Sequence, residues 1–174
     1  MKARLFAAVN FDDTTRSRLL LLCDELRSRS ERGNFSLPEN LHLTLAFIGE
    51  CDMKQAAAAK NSIDAINFER FDIRIERVGR FRRHGGDVWW AGLRKSEPLL
   101  RLQSELTLSL IDAGFALDRR EYKPHVTLGR EVVTDAVPWQ IEPFGEAVSS
   151  IELMKSERIA GKLTYTAIHI KRTG

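Results

Sequence analysis

A four-residue pattern, His-apolar-Thr-Leu, occurs twice in the chain and constrains its fold more than any other sequence feature. Residues 42–45 read His-Leu-Thr-Leu and residues 125–128 read His-Val-Thr-Leu, so the separation is 125 − 42 = 83 residues. Successive side chains of an extended strand point to opposite faces. Each tetrad therefore predicts a strand that buries its two apolar residues and presents an imidazole and a hydroxyl together on the other face.

The same offset relates more of the chain than the two tetrads. The strand-like residues 4–9 and the helical pattern of residues 14–30 both recur 83 residues later. Strand, helix and histidine-bearing strand thus follow in the same order twice, which is typical of an internal duplication. We expect residues 4–49 and 87–132 to superpose about an approximate twofold axis, which would bring the two His-Thr pairs face to face.

Composition indicates an ordinary globular domain. The chain has 174 residues, of which 43% are hydrophobic, enough to bury one core, so we expect a single domain over residues 1–174. The net charge of +3 permits an anionic partner without indicating a strongly basic nucleic-acid clamp. Cys23 and Cys51 form neither a CxxC motif nor a disulfide framework, which favours a reducing compartment. No signal-peptide pattern or membrane-spanning apolar run occurs, so we expect a cytoplasmic monomer without membrane contact.

Hydrophobic periodicity and capping residues predict the remaining elements. Strands are expected at 4–10, 41–48, 71–76, 87–93, 125–133, 148–157 and 163–171, and helices after Asp12-Asp13-Thr14, over 53–66 and after Ser96. Residues 31–34 read as a polar turn, and the stretch containing Pro138 and Pro143 reads as a loose connection. The basic segment 80–86 is either a solvated hairpin tip or a contact for a phosphate backbone. His169 reads as structural.

Two imidazoles and two hydroxyls are compatible with three kinds of chemistry. Histidine is a common zinc ligand, but no third His, Cys or carboxylate shares the pattern, so we expect no metal. Covalent catalysis by threonine needs a base and an orienting acid, and the motifs supply no acid. General acid–base catalysis fits best, because imidazole titrates near pH 6.5, so one ring can accept a proton while the other donates one. A phosphodiester attacked on one side and losing an alkoxide on the other needs this pair, and the threonine hydroxyls can donate hydrogen bonds to its oxygens.

Both motifs, with their flanking residues, resemble the signatures of a known family. Residues 42–49 read His-Leu-Thr-Leu-Ala-Phe-Ile-Gly and residues 124–130 read Pro-His-Val-Thr-Leu-Gly-Arg, and they resemble the two motifs of the 2H phosphoesterase superfamily. Within it, the chain resembles the RNA 2′,3′-cyclic phosphodiesterases, formerly called 2′-5′ RNA ligases, over nearly its whole length. The resemblance implies a two-lobed α+β fold in which antiparallel sheets with flanking helices line a central groove.

The resemblance also implies an activity and site roles. The substrate would be an RNA end or nucleotide bearing a 2′,3′-cyclic phosphate, hydrolysed to a 2′-phosphate without metal or other cofactor. His42 would donate a proton to the leaving 3′-oxygen, and His125 would be the base that activates water. Thr44 and Thr127 would hold the phosphate oxygens.

Arg130 and Phe47 are further candidates for substrate binding. A guanidinium suits a phosphate, but strict alternation from His125 puts Arg130 on the opposite face unless Gly129 allows a bulge. Phe47 is its counterpart in the first half (47 + 83 = 130). Together with Trp90 it would either stack on a base or, as the more common role, pack in the core.

Two other functions remain open from the sequence. A catalytically silent nucleotide- or RNA-binding module could use the same fold, since fold does not settle function. An RNA 2′-5′ end-joining enzyme would use the same acid and base in reverse. The intact His and Thr of both motifs favour an enzyme, because a binding module has no chemical need for both imidazoles.

Overall fold

The computed structural model describes residues 2–173, and within this range the chain forms nine β-strands and three α-helices. The strands are β1 (Ala3–Val9), β2 (Ser30–Phe35), β3 (Leu43–Cys51), β4 (Phe71–Phe81), β5 (Asp87–Leu93), β6 (His125–Thr134), β7 (Trp139–Val148), β8 (Ser150–Ile159) and β9 (Lys162–Arg172). The helices are α1 (Asp13–Ser28), α2 (Met53–Asp64) and α3 (Glu97–Asp112), and a 3₁₀ turn (Pro38–Asn40) precedes β3. In this part of the chain, no helix is long and apolar enough to cross a membrane.

The strands form two antiparallel sheets, as expected for the α+β fold. One sheet has the order β3-β1-β8-β9, and the other has the order β2-β6-β5-β4-β7. Each histidine-bearing strand pairs with the strand that opens its own half of the chain, β3 with β1 and β6 with β5. The two sheets meet where β3 and β6 contact each other.

The apolar residues of both tetrads are buried, as the alternation predicts. Leu43 and Leu45 in β3 and Val126 and Leu128 in β6 are each at most 2% exposed and belong to one core, to which both sheets and all three helices contribute. We call the opposite face, which carries Thr44 in one sheet and the corresponding Thr127 in the other, the groove face.

The helices begin where the capping residues predict, and two of them cross to the other half of the chain. Asp12 caps α1, Asp52 and Gln55 form a capping box at α2, and Ser96 caps α3. Helix α1 packs on β6 and β7, whereas α3 packs on β3 and β4. Because each of these helices covers strands of the other half, the two halves share one core.

A β-bulge follows the threonine of the first tetrad. Ala8 in β1 lies opposite Thr44, but the preceding Ala7 lies opposite Ala46, so Leu45 is an extra residue in β3. Such an extra residue interrupts the alternation of faces. The carbonyl of Leu45 accepts a hydrogen bond from Gln103 Nε2 of α3 at 3.2 Å.

The second tetrad carries the same bulge at the same position. Trp90 in β5 lies opposite Thr127, and Trp89 lies opposite Gly129, so Leu128 is the extra residue in β6. The carbonyl of Leu128 accepts the Ser36 N–H at 2.9 Å. Both histidine strands therefore have a bulge immediately after their threonine. In both, a residue from outside the two paired strands donates a hydrogen bond to the carbonyl of the bulge residue.

The structure corrects the uniform offset of 83 residues. In the register of the strands, Ala8 corresponds to Trp90, an offset of 82, and the helix caps Asp12 and Ser96 are 84 residues apart. Only the two histidine strands, β3 and β6, keep the offset of 83 residues. The mapping of residues 4–9 onto 87–92 was therefore one residue out of register, because the connections differ in length. The superposition of the two units stays a prediction.

Two expected connections are strands. Residues 31–34, expected as a turn, lie in β2, which pairs with β6 of the other half of the chain. The stretch containing Pro143 is β7, the edge of its sheet. Proline is tolerated there because one side of an edge strand forms no ladder hydrogen bonds.

The bounds of the first histidine strand also differ from the prediction. β3 begins at Leu43, so His42 lies at the residue before it, and Gly49 does not end the strand, which continues to Cys51. Gly49 has a φ of +95° within β3, where it pairs with Leu5 next to a register shift.

Candidate active site

The two tetrad histidines lie at the starts of the two adjoining strands. His42 directly precedes β3 and His125 is the first residue of β6, and these strands contact each other. The rings are close enough that a positive charge on His125 lowers the pKa of His42. The fold thus brings both imidazoles into one groove, 83 residues apart in sequence.

Both rings are oriented by the same backbone contact. His42 Nδ1 lies 2.8 Å from the Asn40 carbonyl oxygen, and His125 Nδ1 lies 2.6 Å from the Lys123 carbonyl oxygen, in each case two residues upstream. A carbonyl oxygen only accepts, so Nδ1 carries the proton and donates it in both rings. In the neutral rings Nε2 is therefore left as the basic nitrogen, which is the atom available for proton transfer.

The surroundings of the two Nε2 atoms differ. His42 Nε2 lies 2.8 Å from Thr44 Oγ1, so the hydroxyl donates to the neutral ring. Protonation of His42 reverses this bond, since the ring then donates and the hydroxyl proton is released for another acceptor. Within residues 2–173 His125 Nε2 has no protein partner, so it is open to water or substrate.

The pKa of each histidine lies below the usual value. Burial is the main cause for His42, where the Asn40 carbonyl opposes it and the positive charges of Arg130, Arg16 and His125 add to it. For His125 burial again lowers the pKa most, the hydrogen bond to the Lys123 carbonyl raises it, and Arg130 lowers it. Without a bound anion, the neutral form of both rings is therefore favoured at pH 7.

An aromatic ring packs edge-on against each histidine. His42 and Tyr165 have ring centroids 5.1 Å apart at an interplanar angle of 87°, and His125 and Phe81 have the same distance and angle. The Phe6 ring centroid lies 4.9 Å from that of His42 and 5.0 Å from that of Tyr165, so the three rings form one cluster. These aromatic rings hold the imidazoles in place and exclude water from them, which accounts for the lowered pKa values.

Sequence reasoning missed Tyr165 and Phe81 as site residues. Neither belongs to a motif, and each lies on a strand, β9 or β4, that carries no tetrad. Only the alternation of β4 and β9 was visible in the sequence. Strand pairing, which aligns these residues with the histidines, is set by tertiary structure.

The bulge in β6 places Arg130 on the groove face. Gly129 lies opposite Trp89, a core residue, so Arg130 as the next residue points to the groove like Thr127. Its charge lowers the pKa of both histidines and of Tyr165. Strict alternation, which put Arg130 beside the apolar residues, is wrong here because Leu128 is an extra residue.

Phe47 lies on the rim of the groove and not in the core. It is 70% exposed and pairs with Phe6 across β1 and β3, with ring centroids 6.2 Å apart. The core-packing interpretation of Phe47 is therefore wrong. Trp90 is also partly exposed on the groove face, whereas its neighbour Trp89 is fully buried.

The other histidines and the cysteines lie outside the groove chemistry. His169 Nε2 contacts Asp64 Oδ1 at 2.7 Å and ties β9 to the end of α2, and His84 is exposed at the β4–β5 hairpin. Cys23 and Cys51 are buried free thiols, and burial raises the pKa of Cys23 to about 12. Among residues 2–173, no cluster of three or more His, Cys, Asp and Glu side chains could hold a metal ion.

Comparison with known proteins identifies the family of this chain. The family model of the 2′-5′ RNA ligase superfamily matches residues 15–170. A protein from Archaeoglobus fulgidus named RNA 2′,3′-cyclic phosphodiesterase is 34% identical over 150 residues, which cover 82% of this chain and 84% of that protein. A protein of the same name from Methanothermobacter thermautotrophicus is 30% identical over 99% of this chain and all of its own length.

Solved structures show the same fold. A crystal structure described as a phosphoesterase superposes with a TM-score of 0.84 at 26% identity, covering 99% of both chains. Escherichia coli LigT in complex with 3′-AMP superposes with a TM-score of 0.85 at 24% identity, also over 99% of both chains. The chain belongs to the 2′-5′ RNA ligase superfamily of 2H phosphoesterases, together with the proteins named RNA 2′,3′-cyclic phosphodiesterase.

Proposed function

We propose that this protein hydrolyses RNA ends or nucleotides bearing a 2′,3′-cyclic phosphate to 2′-phosphomonoesters, by metal-independent general acid–base catalysis. One observation carries the proposal: two imidazoles share a groove, and a backbone carbonyl fixes each of them with Nε2 as the free basic nitrogen. Relatives of matching length are named RNA 2′,3′-cyclic phosphodiesterase, and the proposed substrate follows from them.

His125 is the proposed base and His42 the proposed acid. Water attacks phosphorus while His125 Nε2, which no protein group occupies, takes the water proton. The bond between phosphorus and the 3′-oxygen breaks, and His42 Nε2–H gives its proton to that oxygen. The hydroxyl that His42 releases on protonation, Thr44 Oγ1–H, can then donate to the phosphate.

The remaining candidates bind the anion and the base. Thr44 and Thr127 donate hydrogen bonds to non-bridging oxygens, and the Arg130 guanidinium neutralises their charge. Phe47, exposed on the rim, stacks on the nucleobase of the terminal nucleotide. No carboxylate takes part in this assignment, so the phosphate meets only neutral and positive groups among these residues.

The lowered histidine pKa values are compatible with acid catalysis once substrate is bound. The same burial that disfavours an isolated imidazolium strengthens its attraction to a phosphodiester anion at short range. Binding of the anion therefore raises the pKa of both rings, and one proton enters the pair with the substrate. In the complex, the two rings therefore hold one additional proton between them. The ring that carries this proton can act as the acid, and the neutral ring can act as the base.

The test is incubation with nucleoside 2′,3′-cyclic phosphates in EDTA, with separation of the 2′- and 3′-phosphate products. We expect undiminished hydrolysis to the 2′-phosphate. Loss of activity in EDTA that zinc or manganese restores would contradict the metal-free mechanism. Tight binding without turnover would support a binding module, and joining of a cyclic-phosphate end to a 5′-hydroxyl end would support 2′-5′ ligation.

We further propose that the protein acts as a cytoplasmic monomer. Cell fractionation tests the localisation, and analytical sedimentation tests the oligomeric state.

A further inference from the structure

Four side chains form a row beside His125, and none of them transfers a proton in the proposed chemistry. Strand register places three of them on the groove face of the second sheet, on β4 and β5, and the fourth lies in the β4–β5 hairpin over the Phe81 ring. In order along the row they are Arg77, Trp90, Phe81 and Arg83. We call them the aromatic–arginine row.

Trp90 lies flat on the sheet in the middle of this row. It is opposite Gly79 of β4, and a Cβ on Gly79 would lie only 2.4 Å from the indole Cη2. A Cβ on Gly92 would likewise lie 2.8 Å from the indole Cζ3. Because both neighbours are glycines, the indole can lie down across β4, and its other broad side is directed to the groove.

The row is continuous from the catalytic ring to the hairpin. Phe81 lies 5.1 Å from His125 and 5.3 Å from Trp90 between ring centroids. The guanidinium carbon of Arg77 is 5.7 Å from the Trp90 centroid, and that of Arg83 is 5.6 Å from the Phe81 centroid. Guanidinium groups thus stand at both ends of a pair of aromatic rings.

The charge of the row is only partly compensated. Arg77 has a long contact of 3.5 Å to Glu76 and donates to the Leu93 carbonyl. Within residues 2–173, the Arg83 guanidinium has no carboxylate partner and donates to the Arg82 carbonyl, whereas the backbone N–H of Arg83 donates to Asp87 and the Arg82 guanidinium lies 3.8 Å from Asp87. Partly exposed aromatic rings interleaved with arginines are the combination that binds single-stranded nucleic acid, since rings stack on bases and guanidinium groups bind phosphates.

We propose that the aromatic–arginine row binds the nucleotide on the 5′ side of the cyclic-phosphate nucleotide, so that the enzyme prefers oligonucleotide ends to mononucleotides. This inference rests on the proposed function. The reacting phosphate lies between the two histidines, and the terminal base lies towards Phe47 on β3. From the terminal nucleotide, the RNA chain continues through the 5′-oxygen to the penultimate nucleotide. The aromatic–arginine row borders His125 on the second sheet, whereas Phe47 lies on the first, so the row is the surface proposed for that penultimate nucleotide.

The test compares kcat/KM for a trinucleotide and a mononucleotide that carry the same terminal 2′,3′-cyclic phosphate. We expect the trinucleotide to be preferred by about tenfold or more, the size of one stacked base or one charged hydrogen bond. An abasic residue at the penultimate position should remove most of this preference. Arg83→Gln should lower the trinucleotide-to-mononucleotide ratio about tenfold, and high salt should lower it further.

The control variant is Arg101→Gln, which removes the same charge outside the row. Arg101 is exposed on α3, and this helix packs on the core side of the sheets, opposite the groove face. It should leave the ratio unchanged. The row would be overturned as a subsite by a trinucleotide-to-mononucleotide ratio near one in the unmodified enzyme. It would also be overturned by a ratio that neither Arg83→Gln nor the abasic substrate changes. In both cases, hydrolysis of the mononucleotide would still support the proposed function. Absence of hydrolysis of both substrates would instead overturn the proposed function, and the subsite with it.

Discussion

At the residue scale, the proposed chemistry of the groove depends on two partly buried imidazoles that are mostly neutral at pH 7, each with its one ring proton on Nδ1. Burial lowers the pKa of both, and positively charged neighbours lower it further. A general acid with a lowered pKa is mostly deprotonated at pH 7 in the free enzyme. The site therefore needs the charge of its substrate to load the proton that His42 donates.

This dependence predicts a pH profile. The free enzyme is active when one ring is protonated and the other is not, and since each pKa is lowered, kcat/KM should be bell-shaped with its maximum below about pH 6.5. Bound anion raises the same pKa values, so the maximum of kcat should lie at higher pH. Measurement of both parameters from pH 4 to 9 (about the range in which imidazole titrates) checks this order. A kcat/KM maximum above pH 7 would contradict it.

Arg130 offers a second prediction at this scale. Arg130→Met keeps much of the side-chain volume and removes a charge that lowers the pKa of both histidines. The kcat/KM maximum should therefore move to higher pH. Its height should fall by roughly 10- to 100-fold, because one charged hydrogen bond to phosphate is lost. Arg101→Met on α3 is the control and should change neither. An unchanged pH maximum would place the guanidinium outside the groove.

At the scale of the elements, two equivalent bulges determine which side chains face the substrate. Each follows a tetrad threonine, at Leu45 and at Leu128, and each turns the residue two positions further on towards the groove. These residues are Phe47 and Arg130, an aromatic ring and a guanidinium at corresponding positions. Under the proposed function, the same kind of bulge supplies a ring that stacks on the base in one sheet and a guanidinium that binds phosphate in the other.

The bulge in β6 can be tested through its glycine. A Cβ on Gly129 would lie 3.0 Å from both the Phe35 ring and Val132 Cγ2. Gly129→Ala should therefore destabilise the fold by about 1–2 kcal/mol and displace Arg130. Urea unfolding checks the stability, and the pH maximum of kcat/KM should shift upward as in Arg130→Met. Wild-type stability together with a wild-type pH profile would show that the bulge does not depend on this glycine.

Sequence patterns predicted the elements that alternate or are capped, and missed those formed only by pairing. The tetrad strands and the three helices followed from buried alternation and caps such as Asp52. The polar β2 lacks an apolar period and is a strand because β6, about a hundred residues later, pairs with it. The bulges and the positions of Tyr165 and Phe81 depend on the same non-local register, so no local pattern reveals them.

At the scale of the whole molecule, the two imidazoles of the proposed acid and base come from different sheets that pack on one core. Tyr122, in the connection before β6, donates its hydroxyl to the Thr44 carbonyl in β3 at 2.7 Å. Helices α1 and α3 each cover strands of the other half. The separation of the two imidazoles is therefore set by a shared core, which suits a site where both must reach one phosphate.

The proposed division of labour between His42 and His125 is tested most directly by leaving-group rescue. Each alanine variant should lose about 10²–10⁴-fold in kcat on a 2′,3′-cyclic phosphate. An aryl phosphodiester, whose leaving group needs no proton, should restore much of the activity of His42→Ala but not of His125→Ala, since water would still lack its base. Equal rescue of both variants would contradict the assigned roles, and full activity of either variant on the cyclic phosphate would contradict acid–base catalysis by this pair.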